Sequence, residues 1–251
     1  MKYTERDVVR AHDVAGNDTV RPSVLWRYMQ ETANHSMRDE GPSYEALLAR
    51  GLAFLLSRMT MLVHIPLHKN EAITVETWGC ASRGLSFERC YRILTEDGRV
   101  AAEGIGTWAL LDLGTRRLCR VSEVSLGYST DEPIAALSAS GRFRIPSELV
   151  PKRVGTRRVY YSDTDFMGHM NNTNYPDMLC DFLPEPGEGF VRRVSIGFQR
   201  EAVLGADMEI RRAEEKTEDA ALSRFYFETR IGEETGIQAM IELAREPRGE
   251  A

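Results

Sequence analysis

The chain carries the same run of elements twice, and a duplicated unit is the strongest constraint on what these 251 residues can fold into. The first half opens with an extended stretch at residues 7–12 and a polar turn at Gly16-Asn17-Asp18. A helix follows: Pro22 suits a first helical turn, and Leu25, Tyr28, Met29 and Thr32 fall at helical spacing. A shorter helix near residues 44–50 precedes strand-like segments at 54–65, 72–80, 85–94 and 100–111, separated by turn signals such as Glu96-Asp97-Gly98. The second half repeats this order, with a β-like stretch at 157–161, a polar loop at 162–169, a helix at 172–183, and strands near 191–199, 207–213, 222–230 and 237–245. The best internal match sets Leu85-Ser86-Phe87 and Thr107-Trp108-Ala109-Leu110 against Leu222-Ser223-Arg224 and Ile241-Glu242-Leu243-Ala244. Prolines and small residues mark a linker, giving an N-terminal domain at 1–130, a linker at 131–152 and a C-terminal domain at 153–251.

One strand, one helix and a four-strand meander make an α+β unit. The helix has an apolar stripe and the sheet an apolar face, so the economical packing wraps the sheet around the helix. Two such units side by side can pair edge strands into one continuous sheet, which removes exposed edges.

Composition narrows the chemistry. The net charge of −6, from 32 basic and 38 acidic residues, argues against general nucleic-acid binding. Arginine pairs do recur, at Arg116-Arg117, Arg157-Arg158, Arg192-Arg193 and Arg211-Arg212, and offer local patches to an acidic partner. No apolar run approaches the ~20 residues of a membrane helix, and the charged N-terminus does not read as a secretion signal, so the expected location is the cytoplasm, away from membranes. Cys80, Cys90, Cys119 and Cys180 lack paired ligand spacing and clustered histidines, so no metal or cofactor is expected and the cysteines read as buried thiols.

The asymmetry between the halves locates the chemistry. The second-half loop runs from Tyr161 to Asn172 and contains Asp165 and His169, whereas its first-half match, residues 16–22, has no histidine. Downstream, Phe198-Gln199-Arg200-Glu201 corresponds to Val63-His64-Ile65-Pro66, so Pro66 stands where Glu201 does. Hydrolysis of an acyl derivative needs a nucleophile, a base and donors for a developing oxyanion. Histidine is the residue type suited to proton exchange at physiological pH, which makes His169 the acid–base candidate; Asp165 four residues earlier can fix its tautomer, and Glu201 can activate water. Backbone N–H groups of Asn171 and Asn172, at a helix start, suit developing negative charge. The same residues also fit a plain reading as helix caps and surface loop.

Asp165, His169, Asn171, Asn172 and Tyr175, followed by Arg200-Glu201, resemble the acyl-acyl-carrier-protein (acyl-ACP) thioesterase family, which carries Asp-x-Asn-x-His-x-Asn-Asn, a nearby aromatic and a later Arg-Glu pair. In the first half, Leu25, Tyr28, Gln30, Glu31, Thr32, Thr77-Trp78, Trp108 and Thr115-Arg116-Arg117-Leu118 extend the resemblance over nearly the whole chain. It implies a double hotdog fold, hydrolysis of fatty acyl-ACP thioesters, an acidic acyl carrier protein docking on arginine-rich surface, and an acyl chain held by the N-terminal unit. Residues 52–56 with Trp26, Met29 and Met37 are the candidate lining of an acyl cavity, although an apolar stripe is more often plain core. Two positions depart from the family. Met167 replaces its Asn, and a thioether donates no hydrogen bond. Ala202 follows Glu201 where plant members carry cysteine, which leaves water as the nucleophile. Either another group such as Asn171 supplies the polar contact of the family's Asn, or the protein binds acyl carriers and turns them over poorly. An acyl-coenzyme-A thioesterase on the same fold is the alternative enzyme.

Overall fold

The computed structural model describes residues 2–80, 84–120, 122, 131–137, 143–184 and 189–245. The first half comprises β1 (Tyr3–Val8), α1 (Pro22–Glu40), α2 (Tyr44–Ala49), β2 (Leu52–Val63), β3 (Ala72–Gly79), β4 (Phe87–Thr95), β5 (Val100–Asp112) and the short β6 (Arg117–Leu118). The second half comprises β7 (Lys152–Arg158), α3 (Tyr175–Cys180), β8 (Phe190–Phe198), β9 (Asp207–Glu215), β10 (Leu222–Ile231) and β11 (Glu234–Ala244). Part of the predicted linker, at 138–142, lies outside the described residues.

Among the described residues the strands belong to one 11-stranded sheet ordered β1-β3-β4-β5-β2-β8-β11-β10-β9-β7, with β6 attached to β5, and their pairings are antiparallel. The halves meet where β2 pairs with β8. Thr60 faces Ser195, and the pair Met59↔Ile196 is mirrored by Met61↔Val194. The junction is therefore self-complementary, as in a two-fold homodimer. At its centre the hydroxyls of Thr60 and Ser195 lie 3.2 Å apart and buried, so each satisfies the other.

The α1 helix lies against the first-half strands, chiefly β3, and buries Val24, Leu25, Trp26, Tyr28, Met29 and Ala33. Gly104 in β5 permits this approach, because a Cβ there would sit 2.9 Å from Met29 Sδ. The main core runs across both halves, from Ile73, Val75 and Tyr91 to Ile196, Met208, Ile210, Phe227 and Ile241. Among the described residues, no helix is long and apolar enough to cross a membrane.

Three local expectations shift. The extended stretch placed at 7–12 is β1 at Tyr3–Val8, because Asp13 breaks the strand by accepting the Arg10 N–H at 2.8 Å and the Tyr28 hydroxyl at 2.6 Å. Its second-half equivalent behaves alike: β7 ends at Arg158, and Asp163 accepts the Tyr160 N–H at 2.8 Å. The helix expected over 172–183 divides into a 3-10 turn at Asn172–Asn174 and α3, then ends before Pro184, whose ring disfavours helical backbone at Leu183. On the returning strand the internal match slips by one residue. Arg58 pairs with Thr107 while its counterpart Arg193 pairs with Glu242, so Thr107 is equivalent to Glu242.

Because β2 and β8 are adjacent strands of one sheet, the halves should unfold together. Ile196→Ala, at a fully buried site, is expected to cost about 2–5 kcal/mol. The three tryptophans, Trp26, Trp78 and Trp108, all lie in the first half, so a guanidinium titration followed by their fluorescence tests the coupling. An unchanged midpoint would show that the halves melt separately.

Candidate active site

Two chain segments of the second half form a miniature antiparallel ribbon. Met170 N–H donates to Ala202 O at 2.8 Å, and His169 stands opposite Val203. Side chains alternate across such a ribbon, so Met170 and Ala202 turn inward, where they are 3% and 1% exposed. His169, Val203 and Glu201 share the other face, with Glu201 diagonal to His169 and within reach. The result is an imidazole Nδ1 3.4 Å from a carboxylate Oε2. Both side chains remain accessible, His169 at 29% and Glu201 at 57%.

The loop that feeds this ribbon is tied down by backbone bonds. Asp165 N–H donates to His169 O at 2.9 Å, and Gly168 N–H to Asp165 O at 3.0 Å across a turn in which Gly168 has φ 79°. The Asp165 Oδ1 accepts the N–H groups of Met167 at 2.9 Å and His169 at 3.4 Å. Asp165 thus holds the loop backbone, and the carboxylate beside the imidazole is that of Glu201, not of Asp165 as the four-residue spacing predicts. Asp163, which carries no motif signal in the sequence, anchors the loop: its carboxylate binds Arg157 at 2.8 and 2.9 Å while its carbonyl accepts the Asn171 N–H at 2.8 Å.

That last bond removes Asn171 N–H as an oxyanion donor. The Asn171 side chain is also committed, because its Oδ1 caps the 3-10 turn by accepting the N–H and hydroxyl of Thr173, each at 2.9 Å. Only the Asn171 amide N–H groups are left to supply the contact of the asparagine that Met167 replaces. Asn172 begins the 3-10 turn one residue further on. Arg200, adjacent to Glu201, pairs with Glu234.

The first half contributes a wall. Tyr44, the first residue of α2, meets Phe166 edge to face with centroids 5.5 Å apart. Burial raises the Tyr44 hydroxyl pKa above its ordinary value, and the charges of Asp165 and Glu201 add to the effect. Burial likewise pushes up Tyr175, with Glu201 as the charged neighbour. The charge of Glu201 is thus felt by tyrosines from both halves. Tyr44 carries no signal in its own half, since its role depends on how the halves dock. Of the proposed acyl-cavity residues, Trp26 and Met29 lie in the main core, whereas Met37, Leu52 and Phe54 join Leu47, Phe87, Leu110 and Trp108 in a separate apolar cluster beneath α2.

The same loop in the first half shows what is particular to the second. Arg21 N–H donates to Asp13 O, Ala15 N–H to Thr19 O, and Val20 N–H to Leu67 O, which repeats the bonding of Asn171, Asp165 and Met170. Thr19 thus occupies the place of His169, Pro66 that of Glu201, Ala15 that of Asp165 and Asn17 that of Met167. The Asn17 Oδ1 accepts Thr19 N–H at 3.2 Å, the bond that Asp165 makes to His169 N–H. Asp165 has taken over the loop-holding task of an asparagine, which frees position 167. Met167→Asn should accordingly change stability by no more than about 1 kcal/mol, while Asp165→Ala, which strips acceptors from two backbone donors, should cost about 1–3 kcal/mol in thermal denaturation. The reverse ranking would show that Asp165 does not hold the loop.

Comparison with known proteins bears on the whole chain. The plant palmitoyl-acyl carrier protein thioesterase of Gossypium hirsutum is 21% identical over 198 residues, covering 74% of this chain and 48% of its own length. Oleoyl-acyl carrier protein thioesterase 1 of Arabidopsis thaliana is 25% identical over 205 residues, covering 74% and 56%. The chain thus spans about half the length of these relatives. Among solved structures, an acyl-ACP thioesterase from Bacteroides thetaiotaomicron superposes with a TM-score of 0.82 at 21% identity over 96% of both chains. The 12:0-ACP thioesterase from Umbellularia californica superposes with a TM-score of 0.77 at 15% identity, covering 98% of this chain and 94% of its own. These similarities establish the double hotdog fold. The sequence models of the acyl-ACP thioesterase N-terminal and C-terminal domains match residues 1–126 and 152–243 in order, and the chain belongs to the acyl-ACP thioesterase family.

Proposed function

We propose that this protein hydrolyses fatty acyl-ACP thioesters to free fatty acid and holo-ACP in cytoplasmic fatty acid biosynthesis, by direct attack of water. The observation that carries the reading is the His169–Glu201 pair, 3.4 Å apart on one accessible face and flanked by aromatic side chains from both halves. Family membership and the plant relatives' activities support the substrate class.

Glu201 takes a proton from water as the oxygen adds to the thioester carbonyl, and His169, beside it, orients that carboxylate and handles the proton on its way to the leaving sulfur. The tetrahedral intermediate collapses with cleavage of the carbon–sulfur bond. Asp165 acts by fixing the loop that presents His169. Asn172, at the start of the 3-10 turn, and Met167, at the loop tip, face the substrate in this reading, and Asn171 shapes that turn through its cap. Water is the fitting nucleophile because Ala202 buries a methyl group beside Glu201, and burial pushes the Cys180 thiol well above its ordinary pKa. The second unit, residues 153–251, supplies the catalytic pair. The first unit, residues 1–130, holds the acyl chain, for which the apolar cluster beneath α2 is the nearest candidate lining.

His169→Ala and Glu201→Gln should each lower kcat for acyl-ACP hydrolysis by about 10²–10⁴-fold while leaving the folded fraction unchanged. Free-thiol release over a range of acyl lengths measures this, and wild-type rates in both variants would dismiss the site.

Most arginine pairs are spent within the molecule: Arg157 on Asp163, Arg158 on Asp207, Arg192 on Glu242 and Arg211 on Glu209. Arg116 and Arg117 are exposed on the β5–β6 hairpin, joined to the end of α2 through Leu113 N–H and Gly51 O. They are the proposed landing point for the acidic carrier. Charge reversal of both to Glu should raise KM for acyl-ACP about tenfold, more at low salt, with acyl-coenzyme A unaffected. Equal loss on the two substrates would exclude carrier docking there.

A further inference from the structure

On the face of the first-half sheet opposite α1, in a core cluster separate from the main one, two cysteines meet. Cys80, just past β3, and Cys90, in β4, lie diagonally across the β3–β4 pairing, where Trp78 faces Cys90 and Cys80 N–H donates to Glu88 O. Their sulfurs are 3.1 Å apart, both side chains are essentially inaccessible, and Trp78, Ile105, Ile134 and Leu137 pack around them. Two thiols in simple van der Waals contact stay further apart than this, so the two sulfurs lie closer than ordinary contact and share a proton or stand ready to bond. The backbone N–H of Ile134 also donates to Cys90 Sγ, at 3.4 Å. Cys90 sulfur thus has a backbone donor, and when the shared proton sits on Cys80 it accepts from two donors, an environment that favours the Cys90 thiolate with Cys80 as the protonated partner. The directions of titration agree: the bond from Cys80 holds Cys90 below its ordinary value, and the same bond together with burial pushes Cys80 up.

We propose that Cys80 and Cys90 form a reversible dithiol–disulfide site that reacts with small hydroperoxides, with Cys90 as the attacking sulfur and Cys80 as the resolving one. The Cys90 thiolate attacks one peroxide oxygen, the O–O bond breaks, and the departing alkoxide or hydroxide takes a proton to leave as alcohol or water. Cys90 becomes a sulfenic acid. Cys80 sulfur then attacks Cys90 sulfur, the S–O bond breaks, and water departs with the Cys80 proton. Two thiols lose two electrons in total, and the peroxide gains them. The sulfurs already share a cross-strand position, so closure needs a movement of about 1 Å towards the ordinary S–S bond length.

The strap at residues 131–137 covers the pair. Asp131 N–H donates to Gly79 O at 2.9 Å and the Trp78 indole N–H to Glu132 O at 2.9 Å, which holds Ile134 over Cys90. A disulfide sulfur is a weaker acceptor than a thiolate, so oxidation loosens the Ile134 bond without touching His169 or Glu201. Access to the pair requires opening of this cover, which favours small oxidants over proteins.

The test is treatment of the folded, reduced full chain with hydrogen peroxide, followed by intact mass and peptide mapping. The expected product has lost two hydrogens, carries a Cys80–Cys90 link formed at a rate independent of protein concentration, and returns to the starting mass with dithiothreitol. In Cys80→Ala the sulfenic acid on Cys90 should persist and be trapped by dimedone, while Cys90→Ala should give neither product at this site. Wild-type mapping decides the matter even where a variant folds poorly. Cys80 and Cys90 left reduced while Cys119 is oxidised, or a link seen after denaturation alone, would overturn the proposal.

Discussion

The pairing of β2 with β8 is the interaction from which the rest of the molecule follows. Its register places Thr60 against Ser195, its own counterpart in the repeat, so the two halves relate by a local two-fold axis through that hydroxyl pair. A central strand paired on both sides leaves no edge at the junction, and the free edges retreat to β1 and β7 at the far ends. The same register brings α2 of the first half against the loop of the second, which is how Tyr44 reaches Phe166. A slip of one residue would turn every junction side chain to the opposite face and separate Tyr44 from Glu201.

Within the second half the His169–Glu201 geometry comes from strand alternation rather than from a helix. A two-residue offset along one side of an antiparallel ribbon brings His169 and Glu201 together, while Met170 and Ala202 secure the ribbon from below. Positive φ at Gly168 and Gly205 closes the two turns, and the first half uses Asp18 and Asn70 at the equivalent positions. Asp and Asn are the non-glycine residues that tolerate this backbone best. The loop framework is thus independent of the chemistry it displays: both halves build it, with different residues.

Much of this is legible in the sequence because its signals are local. Pro22 and the spacing of Leu25, Tyr28 and Met29 mark α1, and turn signals such as Glu96-Asp97-Gly98 divide the meander. The match of Pro66 to Glu201 also stands, since His64 and Ile65 donate to Ala101 O as Gln199 and Arg200 donate to Gly236 O. Sequence reasoning fails where a side chain competes with the backbone. Asp13 and Asp163 end their strands early by capturing N–H groups, and composition does not show which aspartate will do so. The partner of His169 is misassigned for a related reason. Four residues of separation favour Asp165 in a helix, but this segment is a turn, whose carboxylate folds back onto its own backbone. Tyr44 is invisible because its neighbours are supplied by a domain more than a hundred residues away.

Duplication builds this loop twice, and the two copies put their polar groups to different uses. In the first half the Asn17 amide N–H donates to Gly189 O at 2.6 Å, just ahead of β8, so this loop is bonded to the other half. Thr19, in the histidine position, is buried, and its hydroxyl donates to Asn17 Oδ1 at 2.9 Å. Proline in the glutamate position carries no proton-accepting group. Polar groups that would serve catalysis are here consumed in joining domains, while in the second half the corresponding Met167 stands at the exposed tip of its loop. One loop stiffens the assembly and the other is left open to solvent. A loop whose donors and acceptors satisfy one another has nothing left to offer a reacting carbonyl, so the division of labour is chemical before it is evolutionary.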